Sequence, residues 1–310
     1  MLRVSRATLA LYLLPMLLAI GLINLFPILY TLYISFTNKS LFHLDDYHFV
    51  GMKNYTDTLF NLGGDFYYVL GITVLYVVIC VTLFLIIGLA TALSLNNKDI
   101  RWMPFWRLML ILPWAAPSVV TALIWKFLYN YDFGAYNNIL RVFFGSQAGL
   151  PWVIDAVWAF ISVIIINVWL SYPFFTVVIL GALQSVPAEL NEAASVDGAN
   201  AWQRFTQITL PLLRPAITPA VILSSITTFQ MLVTVQLITQ GGPITSATRP
   251  GATTFVMVYF YNKLFGDTAG NPKYGTMAAV AVIIFIILLT MTILSLRATN
   301  LNTDTKGARA

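Results

Sequence analysis

Residues 67–95 read YYVLGITVLYVVICVTLFLIIGLATALSL, with no Asp, Glu, Lys or Arg among them. About 20 apolar residues in a helix cross the hydrocarbon of a bilayer. A run this long is a membrane-crossing helix that is tilted or continues past the hydrocarbon. Comparable runs cover 9–36, 105–128, 153–183, 217–238 and 274–296. The chain is 59% hydrophobic and 9% charged, with a mean hydropathy of +0.80, which places it in the membrane class. Backbone groups in lipid must be satisfied within the segment, and these runs are too long for barrel strands. The expectation is an all-α integral membrane protein of six transmembrane helices.

The shorter segment Thr254–Phe265, TFVMVYFYNKLF, falls below spanning length and reads as a helix lying in the outer interface. The first residues imitate a signal peptide, with Arg3 and Arg6 ahead of an apolar run. That run is too long for an h-region and lacks a small-x-small cleavage site, so it is read as the first helix. Basic residues set the orientation. With both termini in the cytoplasm, Arg3, Arg6, Lys98, Arg101, Arg107, Arg204, Arg214, Arg297, Lys306 and Arg309 fall inside. Lys39, Lys53, Lys126, Arg141, Arg249, Lys263 and Lys273 fall outside, scattered over longer loops. The net charge of +5 is then a topology signal and gives no support to a nucleic-acid partner.

Several chemistries lack their residues. No GxxxxGK[ST] occurs, so the chain has no P-loop of its own. The two histidines, His43 and His48, share a polar outer loop with Asp45 and Asp46, and no nucleophile–base arrangement accompanies them. No metal site, no cofactor and no enzymatic activity are expected on this chain. Cys80, the single cysteine, reads as a small buried apolar residue. The spans carry no central acid of the kind that ion-driven carriers use. Sodium sites built from carbonyls and hydroxyls would escape that test, so a six-helix secondary carrier or channel stays as the alternative.

Against this apolar background both glutamates of the chain, Glu189 and Glu192, fall in one connection, within 187–213. Pro187, the two acids and Gly198 punctuate a short helix in which the acids favour the positive N-terminal end. Leu190, Ala193 and Val196 or Asp197 give it a small-residue face. An ordinary solvated connector would carry the same features. The stretch EAASVDGANAWQRFTQITLPLLRP (192–215), with its later Ile208, Leu210 and Pro211, resembles the signature loop of permease subunits of binding-protein-dependent ABC importers. The resemblance implies the type I importer (MetI-like) fold and a cytoplasmic coupling helix that docks on an ATPase through Glu189, Glu192, Ala193, Ala194, Asp197 and Gly198. It also implies partners: two cytoplasmic ATPases carrying the ATP and Mg, a second and non-identical permease, and an extracytoplasmic binding protein. That protein would meet the outer loops Ile244–Lys273 and Phe42–Asp65. The setting implied is a prokaryotic plasma membrane.

The stretches 112–140, QLITQGGP (236–243) and LRATN (296–300) are similar to sugar permeases, and within them to the larger membrane subunit of maltose/maltodextrin importers. The resemblance then points to a sugar site. In NVWLSYPFF (167–175) it selects Asn167, Leu170, Ser171 and Phe174; in the helix starting at 217 it selects Ser224, Thr227, Thr228 and Met231. Asn167, Ser171 and Phe174 share one helical face, and the second group forms a stripe at i, i+3, i+4 and i+7. Hydroxyls, an amide and an aromatic ring suit the polar edges and apolar faces of a sugar. The same types also serve helix packing. The maltose subunit differs at Ser171, Phe174, Thr228 and Met231, so maltose itself is not implied, while a carbohydrate is.

Overall fold

The computed structural model describes residues 6–61, 64–97, 100–246, 248–265 and 273–307. Arg3, Lys98 and Arg309 of the charge count lie outside them, as do 62–63 of the loop Phe42–Asp65 and 247 and 266–272 of the loop Ile244–Lys273. The described residues are helical, with only isolated bridges at Thr37–Phe49 and Ser40–His43. Five helices are long and apolar enough to cross a membrane, or six if one sharply bent pair counts as a span. The chain divides into two compact units, Met1–Phe66 with Phe260–Met291, and Tyr67–Tyr259 with Thr292–Ala310.

In the first unit α1 (Arg6–Ile20) passes through a π-turn at Gly21–Leu25 into α2 (Phe26–Ser35). Pro27, in the first turn of α2, lacks the N–H that a regular α ladder needs there, which fits the widened turn before it. Apart from Ser35 at its end, no residue of the span Leu11–Ser35 is buried, as suits a helix turned to lipid. Asn54, at the start of α3 (Lys53–Thr56), donates from Nδ2 to the carbonyls of Ser35 (2.8 Å) and Thr37 (2.7 Å). Its Oδ1 accepts from Thr276 at 3.2 Å, tying the end of α2 to the start of the last helix.

The second unit begins with α4 (Asp65–Leu95), whose first two residues belong to the first unit. The sequence predicts one helix over 105–128, and the structure corrects this. It forms α5 (Met103–Ala115) and α6 (Ser118–Leu128), bent by 94° at the break. Pro117 clashes with a helical residue before it, so Ala116 is extended (φ −73°, ψ 133°). Next comes α7 (Ala135–Phe144). α8 (Ala156–Gln184) starts at Asp155, whose carboxylate accepts from the N–H groups of Val157 (2.9 Å) and Trp158 (3.1 Å). Asp155 is therefore an N-cap.

Short helices α9 (Ala188–Val196) and α10 (Ala201–Arg204) follow, and a π-turn at Phe205–Thr209 leads into α11 (Leu210–Phe229). The regular helix lapses at Gln230–Leu232 before α12 (Val233–Ile238), while Ala201–Ile238 as a whole is one stretch long and apolar enough to cross a membrane and contains the expected span 217–238. α13 (Val256–Phe265) is the short helix read from 254–265, although Val256, Val258 and Tyr259 are buried. α14 (Tyr274–Gly307) closes the chain, with Tyr274–Arg297 apolar enough to span.

α8 is the central element of the second unit, packed against α5, α11 and α12. Against α4 it comes unusually close: a Cβ on Gly88 would lie 2.4 Å from Cβ of Phe175. Glycine permits that approach, and the Thr91 and Thr176 hydroxyls then bond at 2.6 Å. Tyr76 of α4 stacks on Phe255 with centroids 4.2 Å apart, and the Val256 N–H donates to Thr73 Oγ1 at 2.9 Å.

Candidate functional site

The exposed helix α9 is bounded by two well-formed stops. Pro187 caps it in an extended conformation (φ −59°, ψ 130°). At its other end Gly198 is left-handed (φ +85°). The Gly198 N–H donates to Ser195 O (3.2 Å) and the Ala199 N–H to Ala194 O (2.9 Å), the paired bonds of a Schellman motif. A capping box then starts α10: Asn200 Oδ1 accepts from Gln203 N–H (2.9 Å) and Gln203 Oε1 accepts from Asn200 N–H (2.8 Å). Asn200 and Gln203 carried that signal in the sequence, at the spacing of a capping box.

Glu189, Glu192, Ala193, Asp197 and Gly198 are exposed and Ala194 is half-buried. The loop also exposes Leu190, Val196 (89%) and Trp202 (71%). Trp202 was not among the residues selected from sequence, although an aromatic ring in so polar a connection was the available signal. A short, capped helix presenting small and apolar residues between carboxylates is built to be touched.

The second region is a cleft of about 250 Å³ lined by Trp114, Ser171, Phe174, Leu223, Ser224 and Thr227. Four of the eight sugar-site residues selected from sequence meet there, two from α8 and two from α11. Trp114 stands beside the helix break and packs on Phe174 at 6.2 Å between centroids. Sequence reasoning missed Trp114 and Leu223; for Trp114 the signal was its place between Pro113 and Pro117.

The other four lie elsewhere. Asn167 is 1% exposed and Thr228 3% exposed. Leu170 packs against the cluster of Ala122, Tyr129, Ile166 and Ile238. Met231 falls in the break after α11, because that helix ends at Phe229 and the stripe cannot continue to i+7. Ser171 donates to Asn167 Oδ1 at 3.3 Å, so the cleft wall is joined to the buried amide.

Among the described residues no group of three His, Cys, Asp or Glu could hold a metal. His43 Nδ1 sits 3.2 Å from both carboxylate oxygens of Asp46, and this hydrogen bond holds the Asp46 carboxyl below its ordinary value. The cleft offers hydroxyls and rings but no nucleophile, acid or base, so it can hold a neutral polar solute without transforming it.

Apolar spans, a hydroxyl- and ring-lined cleft between two of them and an exposed, capped helix on a connecting loop are the parts of a membrane transport component. Residues 85–304 match the family described as binding-protein-dependent transport system inner membrane component, and the chain belongs to that family of ABC importer permeases. It is 34% identical over 282 residues to the galactooligosaccharides transport system permease protein of Bacillus subtilis, covering 89% of this chain and 66% of that one. It is 32% identical over 295 residues to the trehalose/maltose transport system permease protein of Thermococcus litoralis, covering 95% and 94%. With the maltose/maltodextrin permease of Vibrio vulnificus it shares 35% identity over 74% of this chain and 44% of the relative. The chain thus spans under two thirds of some of these relatives and nearly all of another. A bacterial alginate ABC transporter, solved with an alginate pentasaccharide-bound periplasmic protein, shares the fold at a TM-score of 0.74 and 19% identity, over 93% of this chain and 92% of that one.

Proposed function

We propose that this chain is the permease subunit of an ATP-driven importer of a di- or oligosaccharide. It crosses the membrane six times with both ends in the cytoplasm, the bent pair α5–α6 counting as the third crossing. The observation that carries the sugar reading is the convergence of Ser171, Phe174, Ser224, Thr227 and Trp114 on one cleft. Hydroxyl edges and ring faces are what a pyranose presents, and the names of the relatives point the same way. At about 250 Å³ the cleft is slightly smaller than the roughly 300–1,000 Å³ of typical small-molecule sites. A second permease facing it would complete the enclosure.

Glu189, Glu192, Ala193, Ala194, Asp197 and Gly198 form the surface that an ATPase grips, and the ATP and Mg belong to that subunit. An extracytoplasmic protein delivers the sugar. Nucleotide-driven closure pushes α9, and the paired permeases alternate between inward- and outward-open arrangements because each nucleotide state binds one of them better. The test is Ser171→Phe, which fills the cleft from α8. Uptake should fall at least tenfold while the ATPase still co-purifies. Wild-type uptake by that variant would remove the cleft from the pathway.

A further inference from the structure

The start of α5 carries a second cleft, of about 330 Å³, lined by Arg101, Trp102, Phe105 and Trp106. It shares no residue with the cleft between α8 and α11, and it falls within the roughly 300–1,000 Å³ of small-molecule sites. Its depth follows from α4. That apolar helix ends at Leu95 and α5 begins at Met103, so residues 101–106 stand where hydrocarbon gives way to headgroups.

Arg101 is exposed and makes no hydrogen bond or ion pair with a described residue. Arg107, the next base along the chain, is occupied: its Nη2 donates to the Leu95 carbonyl at 3.4 Å. Trp102 holds a left-handed backbone (φ +66°, ψ 32°), which a residue with a Cβ adopts at a cost. Its ring is nonetheless 68% exposed, so that strain serves no core. Beside it Phe105 and Trp106, also exposed, meet edge-on with centroids 5.4 Å apart. The apolar surface then continues along α5. Phe105, Leu108, Met109 and Leu112, at i, i+3, i+4 and i+7, are all exposed. They are uncovered because α5 packs on α8 through the side carrying half-buried Met103, Arg107 and Leu110, where the Leu110 carbonyl accepts from the Tyr172 hydroxyl at 3.0 Å. One unpaired cation at the membrane boundary, with an apolar stripe running away from it, complements an amphiphile with an anionic head.

We propose that this cleft seats the phosphodiester headgroup of an anionic phospholipid, with an acyl chain along Phe105, Leu108 and Leu112. The planar guanidinium of Arg101 donates two parallel N–H bonds to phosphate oxygens, and the indoles supply further donors at headgroup depth. Phosphatidylcholine presents the same phosphate but brings its own cation, which Arg101 repels, so the cleft selects a lipid of net negative charge. Free phosphate would use Arg101 alone and leave the stripe bare.

The test titrates the assembled importer, purified in a neutral detergent, with phosphatidylglycerol and with phosphatidylcholine, and counts bound lipids by native mass spectrometry. Comparison of wild type with Arg101→Gln isolates this cleft from whatever else the complex binds. The variant should lose affinity for phosphatidylglycerol at least about fivefold, the worth of one basic residue near an anionic surface, and bind phosphatidylcholine as wild type does. Its melting point should not move, since Arg101 is bonded to nothing in the chain. Phe105→Ala, which trims the stripe, should weaken phosphatidylglycerol binding roughly threefold. Equal phosphatidylglycerol binding by wild type and Arg101→Gln overturns the proposal. Displacement of the lipid by excess inorganic phosphate, with Phe105→Ala unaffected, also overturns it and leaves a phosphate site only. Loss of the second permease or the ATPase from the Arg101→Gln complex, with lipid binding unchanged, would assign the cleft to a protein partner instead.

Discussion

Replacing Asn137 with Leu removes the most heavily bonded side chain in the second unit. Asn137 is fully buried in the first turn of α7. Its Nδ2 donates to the carbonyls of Tyr131 and Leu150, both at 3.1 Å. Its Oδ1 accepts from the Leu150 N–H and the Trp152 indole N–H, both at 2.9 Å. Not all of these partners would be orphaned equally. The Tyr131 carbonyl also accepts from Arg141 at 2.7 Å and keeps that bond. The Leu150 carbonyl likewise keeps a bond from the Trp152 backbone N–H at 2.9 Å, so two groups remain without a partner: the Leu150 N–H and the Trp152 indole N–H. At about 1–3 kcal/mol each when dry, and less where half-buried Leu150 admits water, the loss comes to about 2–4 kcal/mol.

Trp152 also stacks on Tyr129 (5.2 Å) and meets Trp158 edge-on (5.3 Å), so its release loosens an aromatic cluster with a spectroscopic signature. Purified Asn137→Leu should unfold roughly 5–15 °C below wild type in detergent, with a weakened near-ultraviolet dichroism band before the transition. Asn137→Asp, which can still accept the two N–H groups but cannot donate, should fall between. An Asn137→Leu melting point within 2 °C of wild type, with the band unchanged, would refute the claim that this amide holds the connections around α7.

Gly88→Leu forces a side chain into the α4–α8 contact, where even the Cβ would sit 2.4 Å from Phe175 and 3.2 Å from its carbonyl carbon. Overpacking of about 1–3 kcal/mol, and loss of the Thr91–Thr176 bond, should lower the melting point and the yield of folded protein; normal yield and melting would count against the contact. Gly198→Val places a β-branched residue at φ +85°, at a cost of about 1–2 kcal/mol confined to the end of exposed α9. Membrane insertion and melting should persist, while co-purification of the ATPase drops; retention of the ATPase at wild-type levels would argue against α9 as the grip. Glu192→Arg should do the same by reversing charge on the same surface.

How much of this was legible in sequence varied by element, for physical reasons. The helices starting at Asp65, Ala156 and Tyr274 were visible because lipid demands an unbroken apolar run and these sequences supply one. The bend between α5 and α6 was written in Pro117 but masked by the hydropathy on either side of it, which reads as one span. The fracture after Phe229 was not legible. Its three residues, Gln230, Met231 and Leu232, include no Gly or Pro, so the sequence gives no local stop. That one break takes Met231 out of the predicted stripe. The family resemblance selected Ser171 and Phe174 with Ser224 and Thr227, and helical periodicity put each pair on one face of its helix, but periodicity carries no information on depth. Asn167 shares their face and is nonetheless buried against α4. Trp114 was marked only by its place between Pro113 and Pro117; that the 94° bend brings it to the cleft is a tertiary feature. The loop around α9 was the most legible region, since proline, acids and glycine act there through local backbone chemistry.

The central claim is that solute crosses through this chain only when an external ATPase acts on α9. The direct measurement is uptake of a labelled oligosaccharide into proteoliposomes holding this chain with its partner permease and ATPase, with the binding protein supplied on the opposite face. The account predicts uptake that requires ATP and the binding protein together, and that Gly198→Val abolishes while leaving the chain inserted. Uptake that continues without ATP, or in vesicles holding this chain alone, would contradict it.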